Sequence, residues 1–518
     1  MVDMAAVSKS NHSKSNVLIN DGALNEKCAV FGVYGPKKEA SRVTYYGLWA
    51  LQHRGQESSG IATSDGKKLY RHAAAGLVAN VYRNEDLDHM PGNIAIGHNR
   101  YATSGGADEL NNQPCLCVND GKDFAFAHNG NLPDYSKLEA FLVSKNVPVK
   151  GLNDSRMMAE AISWYIAQGH VLEQAIIKAY PLFEGVFSSV ALDRDKLIAF
   201  RDQCGIRPLS IGTLGDGYVI ASETCAFDTV GATYLRDVEP GELVVIDKHG
   251  LTSHQVVPAN PKMDIFEFVY FARPDSILKG QRVNTVRERF GMEMAKEFPV
   301  DADVVIPVPD SSIPAALGYA HESGIPFDMG LIKNRYINRT FIQPTAELRK
   351  RDIKMKLNPV IESIAGKRVV LVDDSIVRGT TMRQVVNMVR EAGAKELHVL
   401  ISCPPVRYPD FYGINTPDQA DLVSSRLTVE ETREYIGADS LHFLSHDGMV
   451  RATGLAASQF SMSCFDGIYP IPIGDRAKTV KRVKASTKDN LAMFSTDPYV
   501  DPHAEDSQTI EHLKTATS

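Results

Sequence analysis

The sequence predicts two unlike halves: an α+β sandwich of sheets covered by helices up to about Asn260, then an α/β unit built on a parallel sheet. Three observations lead there. Short apolar runs at Cys28 to Val33, Ile94 to His98, Phe124 to His128 and Ser188 to Leu192 read as strands, and Val43 to Leu51 and Met157 to Ile166 carry helical periodicity. From about Asp301 strands and helices alternate, with strands at Val304 to Pro307, Val369 to Val372 and Leu397 to Ile401, the order that builds a parallel sheet. The length, 518 residues with 43% hydrophobic content, suits two or more full cores. No internal repeat is visible.

Composition narrows the function classes. A formal net charge of -7 argues against a general nucleic-acid binder. No run approaches the ~20 apolar residues needed to cross a bilayer, and the first 27 residues are polar without an apolar signal core, so a cytoplasmic protein is expected. Seven cysteines, an odd count, do not make a disulfide framework. Cys115 and Cys117 are expected to face opposite sides of a strand and so not to share a ligand, and Cys204, Cys225 and Cys403 to be buried thiols.

The most informative stretch is RVVLVDDSIVRGTT, Arg368 to Thr381. Val369 to Val372 reads as a buried parallel strand, and Met382, Val385, Val386 and Val389 follow at helical spacing. In the turn between, the N–H groups of Ser375 to Thr381 and the hydroxyls of Ser375, Thr380 and Thr381 can hold a phosphate at the positive end of a helix, Gly379 allowing close approach. Asp373 and Asp374 suit sugar hydroxyls or Mg2+, because adjacent carboxylates repel unless a cation or donors occupy the site. The string lacks the lysine of a Walker loop and the three spaced glycines of a dinucleotide fingerprint. It resembles the PRPP loop of type I phosphoribosyltransferases. That resemblance implies that the acids hold the ribose hydroxyls of phosphoribosyl pyrophosphate and the turn, Arg378 included, its 5-phosphate.

A second chemistry occupies the first half. Cys28 opens CAVFGVYG, followed by LQHRGQESSGIA from Leu51, GHNRYATSGG from Gly97 and AHNGNL from Ala127. Their order and spacing resemble the N-terminal-nucleophile (Ntn) glutaminase domain of class II glutamine amidotransferases, which implies a four-layer αββα sandwich. From Cys28 to Pro470 the chain resembles the glutamine phosphoribosylpyrophosphate amidotransferase family, through RDQCGIRPL at Arg201, SETCAFD at Ser222, FEFVYFARPDS at Phe266, VIPVPDSS at Val305 and KNRYINRTFIQPT at Lys333.

Amide hydrolysis needs a nucleophile, a base and an oxyanion site. A terminal cysteine supplies the first two, since its thiol (pKa ~8.5) can pass a proton to its own α-amine (pKa ~8). An internal Cys28 cannot, so removal of residues 1–27 is predicted. The resemblance implies that Arg100 binds the substrate α-carboxylate, Asp154 its α-ammonium, and Asn129 with the Gly130 N–H the oxyanion. Arg54, Gly55 and Thr103 would line the same pocket. One departure stands beside Asp154: the family continues with a hydroxyl residue and then a glutamate, whereas this chain has Ser155 and Arg156. A mild effect is expected, since helix neighbours two apart do not face each other.

In the other half, Lys333 to Lys356 carries eight Lys and Arg against Glu347 and Asp352. By resemblance it is a flap ordering over PRPP, with Lys333, Tyr336, Arg339 and Lys356 in contact, closing water out. Pro307 to Ser312 resembles the pyrophosphate turn, and one Mg2+ per subunit would lie between the ligand and Ser311, Asp373 and Asp374. Some members bind a 4Fe-4S cluster. The matching positions here are Asp264, Asp410, Ser461 and Cys464, one thiol in all, so no cluster is predicted.

The implied reaction is glutamine hydrolysis at Cys28 with ammonia channelled to C1 of PRPP, giving 5-phosphoribosylamine, glutamate and pyrophosphate, the first committed step of purine synthesis. Purine nucleotides as feedback inhibitors and a homodimer or homotetramer are further implications. The expected division is leader 1–27, glutaminase 28–260, transferase 261–475, and a C-terminal helix and flexible tail 476–518. Two rivals differ in class. A PRPP-sensing regulator carries an appended nucleic-acid-binding module and often loses the flap, and other class II amidotransferases lack the Asp373-Asp374 loop.

Overall fold

The computed structural model describes residues 28–35, 39–101, 111–119, 121–334, 355–412, 418–481 and 483. In chain order the first half contributes β1 (Ala29–Tyr34), β2 (Ser58–Ser64), β3 (Leu69–Ala75), β4 (Ile94–Arg100), β5 (Cys115–Cys117), β6 (Phe124–Asn131) and β7 (Val186–Leu192). It continues with β8 (Leu197–Arg201), β9 (Ser210–Leu214), β10 (Gly217–Ala221), β11 (Thr233–Asp237), β12 (Glu242–Asp247) and β13 (Gly250–Gln255). These make a 7-stranded antiparallel sheet, β11-β9-β10-β1-β4-β2-β3, and a 6-stranded one, β13-β12-β8-β7-β6-β5.

Side-chain alternation explains the layers. Along β1, Ala29, Phe31 and Val33 pack with Leu48 of the helix Ala40–Ala50, while Val30 faces Ala127, Val190 and Leu197 between the sheets. Along β6, Phe124 and Phe126 lie under Met158, Ile162 and Ile176 of the helices Asp154–Ala167 and Leu172–Ala179, while Ala125 and Ala127 turn inward. Helix, sheet, sheet and helix therefore stack as the expected αββα sandwich. Phe31 and Phe126 are fully enclosed. Burying a side chain of that size stabilises by roughly 1.5–3 kcal/mol, so a charge at either would unseat a layer. The thiol expectation needs correcting. Residues two apart on a strand share a face, and Cys115 and Cys117 are both buried in the core beneath the helices, with Phe124 and Phe126.

The second half is a 4-stranded parallel sheet in the order Val304–Pro307, Arg368–Asp373, Glu396–Ile401, Ser440–Phe443. Helices Val283–Glu297, Ile313–Ser323 and Thr380–Glu391 pack on it. Pro307 pairs with Val372, so the turns after both strands open at one carboxyl-end crevice, where ligands of such sheets bind. A short antiparallel ladder, Leu331–Lys333 with Leu357–Pro359, roots the basic segment and is extended by the Asn334 N–H on the Lys356 carbonyl at 2.8 Å. Most of that segment, and the tail beyond 483, lie outside the described residues.

The halves are joined in several ways. The Lys262 N–H donates to the Cys204 carbonyl at 2.7 Å and the Asp264 N–H to the Ile206 carbonyl at 3.1 Å, while Met263–Asp264 pairs in parallel with Phe460–Ser461 within the second half. Val186, Cys204 and Ile206 pack against Tyr412, Tyr469 and Ile471. Asn131 Nδ2 donates to the Phe411 carbonyl at 2.8 Å. Among the described residues, no helix is long and apolar enough to cross a membrane.

Candidate active sites

Cys28 lies directly before β1, half-buried, its Sγ 3.9 Å from the Tyr101 carbonyl oxygen that follows β4. Ala29 is paired with Asn99, so antiparallel register carries the thiol and Arg100 to the same sheet end. Burial pushes the Cys28 thiol up, Tyr101 and the Arg100 charge pull it back, and Asp154 adds to the rise. The net direction is upward, so near neutral pH the thiol keeps its proton and needs a base. Neighbouring imidazoles do not provide it. His98 is pushed down to about 3 by burial and the Arg100 charge, with Nε2 3.2 Å from the His128 carbonyl. His128 donates from Nε2 to the Val186 carbonyl at 3.1 Å and accepts at Nδ1 from Ser155 Oγ at 3.0 Å.

Asn129 and Gly130 come from β6 in the other sheet. The enclosed Asn129 donates from Nδ2 to Ser222 Oγ at 3.4 Å, and its Oδ1 has no hydrogen-bond partner among the described residues. Ser222 Oγ also accepts the Val30 N–H at 2.9 Å, so one hydroxyl ties the nucleophile strand to the Asn129 amide. Gly130 has φ +151°, and a Cβ there would stand 2.0 Å from the Val186 carbonyl oxygen, which only glycine avoids. Asp154 opens its helix with Oδ2 accepting the Leu132 N–H at 3.1 Å and Oδ1 the Ser155 N–H at 2.7 Å.

Arg54 departs from expectation. Its guanidinium does not line a substrate pocket: Nε pairs with Glu223, and Nη1 and Nη2 with Glu267, all three side chains being buried. Gly55 instead brings its main chain against Asn99 and Arg100. Arg156 pairs with Glu160 one turn along the helix at 2.9 Å. Thr103, Tyr336 and Arg339 lie outside the described residues.

At the transferase crevice, Asp374 Oδ2 accepts from Ser311 Oγ at 2.5 Å and Oδ1 from Ser375 Oγ at 2.6 Å. Asp373 Oδ1 accepts the Asp374 N–H at 2.9 Å and Ser312 Oγ at 3.4 Å. Burial and the Asp374 charge raise the Asp373 carboxyl well above the usual range, and burial raises Asp374 despite Ser311, Ser375 and Arg287. Two such acids beside a hydroxyl fit a hard divalent cation, which would relieve their repulsion. Among the described residues no three His, Cys, Asp or Glu cluster as a metal cage, so further oxygens would come from substrate and water. Gly379, at φ +78°, precedes the helix begun by Thr380 and Thr381, whose Met382, Val385, Val386 and Val389 are buried. Arg378 reaches Asp421 at 3.5 Å, and Lys333 Nζ lies 3.1 Å from Asp310 Oδ2. Lys356 stands across the ladder root.

The positions matched to cluster ligands do converge. Asp264 is in register with Ser461, and Arg207 reaches Asp264 at 3.1 Å and Asp410 at 3.9 Å. Burial, with the charges of Asp264 and Asp410, raises the Cys464 thiol well up. One thiol among oxygens, with a guanidinium between the acids, does not fit an iron-sulfur ligand set. Sequence reasoning missed the partners of Ser222 and the ion pairs of Arg54. Ser222 stood in the SETCAFD block, but nothing local revealed its partners.

A thiol, an amide and a glycine N–H at the open end of an αββα sandwich, fused to a parallel sheet ending in paired acids, define a class. It is a class II glutaminase and a type I phosphoribosyltransferase in one chain. The glutamine amidotransferase domain family matches residues 98–229, and the phosphoribosyl transferase domain family residues 275–410. Over 461 residues the chain is 48% identical to the amidophosphoribosyltransferase of Synechocystis, spanning 88% of this chain and 93% of that one. Identity to the Bacillus subtilis amidophosphoribosyltransferase is 47% over 458 residues, 87% and 95% of the two chains. The solved B. subtilis glutamine PRPP amidotransferase, complexed with ADP and GMP, matches with a TM-score of 0.81 at 45% identity, over 86% of this chain and 98% of that one. The chain belongs to the amidophosphoribosyltransferase family.

Proposed function

We propose that this enzyme hydrolyses glutamine at Cys28 and delivers the ammonia internally to C1 of PRPP, yielding 5-phosphoribosylamine, glutamate and pyrophosphate for purine synthesis. One observation carries the reading: the Cys28–Arg100–Asn129–Gly130–Asp154 group and the Asp373–Asp374 crevice occur in one chain whose halves share a packed interface.

Cys28 attacks the glutamine carboxamide carbon once residues 1–27 are removed and its own α-amine can take the thiol proton. The raised thiol and the lowered imidazole of neighbouring His98 support that requirement. Asn129 Nδ2 and the Gly130 N–H stabilise the oxyanion, Arg100 holds the α-carboxylate and Asp154 the α-ammonium, with Gly55 and Thr103 lining the pocket. The α-amine returns its proton as ammonia leaves, and water then cleaves the thioester to glutamate. Confined transfer matters because ammonia in water near pH 7 is mostly ammonium, which has no lone pair to attack with.

At the crevice, Asp373 and Asp374 hold ribose hydroxyls, and Ser375, Arg378, Gly379, Thr380 and Thr381 the 5-phosphate. Lys333, Tyr336, Arg339 and Lys356 close over the ligand. Ser311, Asp373 and Asp374 would hold one Mg2+, which supplies charge neutralisation for the departing pyrophosphate. Residues 28–260 and 261–475 are the two working domains in this reading. The ADP and GMP held by the B. subtilis relative support purine nucleotides as feedback inhibitors here. A cytoplasmic homodimer or homotetramer completes the proposal.

The test is PRPP-dependent pyrophosphate release with Mg2+, comparing glutamine with ammonium, on protein of known intact mass. Turnover with both donors is expected. Turnover with neither would overturn the reading.

A further inference from the structure

A fully buried charged cluster lies between the two halves, outside both reaction centres. Arg54 is 2% exposed, and Glu223 and Glu267 are 0%. Glu267 comes from the transferase half, in a wide helical turn closed by the Ala272 N–H on the Glu267 carbonyl at 3.0 Å. Its two carboxylate oxygens receive Arg54 Nη1 and Nη2 as a fork, and Oε1 also receives Arg207 Nη1 at 3.1 Å. Arg54 Nε is taken by Glu223, which is pinned from the transferase side by the Arg273 N–H at 2.9 Å and Ser276 Oγ at 2.7 Å. Every nitrogen of the Arg54 guanidinium is therefore held by an acid that the transferase half either supplies or anchors.

What Arg54 carries is the loop against Arg100. Gly55 approaches so closely that a Cβ would fall 2.6 Å from the Asn99 carbonyl carbon and 2.9 Å from that of Arg100. Two residues on, the Glu57 N–H donates to the Arg100 carbonyl at 3.0 Å. The loop is thus a template for the backbone of Arg100, the residue we assign to the glutamine α-carboxylate. At the other end, Arg287 donates to the Phe268 and Ala272 carbonyls at 2.8 and 2.9 Å, fixing the turn that aims Glu267.

We propose that Glu267 of the transferase half is a positioning residue for the glutamine site, acting through Arg54 on the Gly55–Arg100 contact. The glutaminase half by itself lacks that acid, so its substrate geometry is completed by the other domain. A buried fork is suited to this, because it fixes orientation in two directions and tolerates little displacement. The inference rests on the proposed function for the role of Arg100.

The experiment uses full-length E267Q, which keeps the shape and one acceptor but removes the charge. Glutamate release, pyrophosphate release with glutamine or ammonium, the KM for PRPP and the melting temperature are read together. The expected result is a KM for glutamine raised tenfold or more in both glutamate and pyrophosphate release, with ammonium-dependent turnover and the KM for PRPP within twofold of the parent. E267D, which can rebuild part of the fork, should lie between. Equal losses with glutamine and ammonium would mark Glu267 as merely structural, and an unchanged glutamine KM would overturn the proposal outright. Should E267Q fail to fold, R54K keeps the buried charge without the fork and must give the same split. Failure of the functional reading would look different: the parent protein itself would release no pyrophosphate with either donor.

Discussion

Replacing Gly130 by alanine probes the oxyanion geometry with a single methyl. The Cβ would stand 2.0 Å from the Val186 carbonyl oxygen, whereas ordinary contact begins at 3.4 Å, and φ is +151°. β6 must therefore peel from β7 by roughly 1 Å or more where Asn131 pairs with Val186, moving the Gly130 N–H and, one residue back, Asn129. A misplacement of about 1 Å costs on the order of 100-fold, and loss of one oxyanion donor about 10²–10³ in kcat, or about 2.7–4 kcal/mol. Glutamine-dependent pyrophosphate release should fall by that factor, most of it in kcat. Ammonium-dependent release, which needs only the transferase crevice, should stay within about twofold. G130A retaining more than about a third of the parent glutamine rate, with unchanged melting, would refute the assignment of this N–H to the oxyanion.

Cys28→Ala should abolish glutamate release and spare ammonium-dependent synthesis, and the active parent protein should have an intact mass beginning at Cys28. An active species that still carries Met1 would remove the α-amine from the mechanism. D373N and D374N should each lose PRPP turnover. The parent should gain about 2.7 kcal/mol of stability at Mg2+ a hundredfold above its Kd, while either variant gains far less, so an equal Mg2+ response in thermal melts would count against these acids as ligands. Arg156→Ala removes one partly exposed helix pair, worth about 0.3–0.5 kcal/mol. Its glutamine KM should shift less than about twofold, and a tenfold rise would mean that Arg156 acts on Asp154.

Much of this was legible in the sequence because its signals are local. The strand anticipated at Val369 to Val372 runs Arg368–Asp373, and the helix beyond it buries the four anticipated residues. The strand anticipated at Phe124 to His128 continues to Asn131, because Gly130 and Asn131 extend the ladder with β7 despite their weak strand propensity. The cysteine pair was misjudged by a simple error of period, since a spacing of two keeps side chains on one face. The motif residues stand out in the sequence because a phosphate turn needs its hydroxyls, glycine and acids within a few positions.

Alternation, helical spacing and turn chemistry act over a handful of residues, so the sequence by itself determined the two layered cores, the chemical character of both centres and the family. It could not reveal where a long side chain ends. Arg54 reads as one more basic residue beside a conspicuous glycine, yet its partners lie 169 and 213 positions away. The same holds for Ser222, which meets Val30 and Asn129 across separations of 192 and 93. Such bonds depend on how sheets stack and domains dock, and a buried guanidinium takes whichever acids that packing brings, because leaving it unpaired would cost more. Only the tertiary structure decided that Arg54 is a joint between the halves.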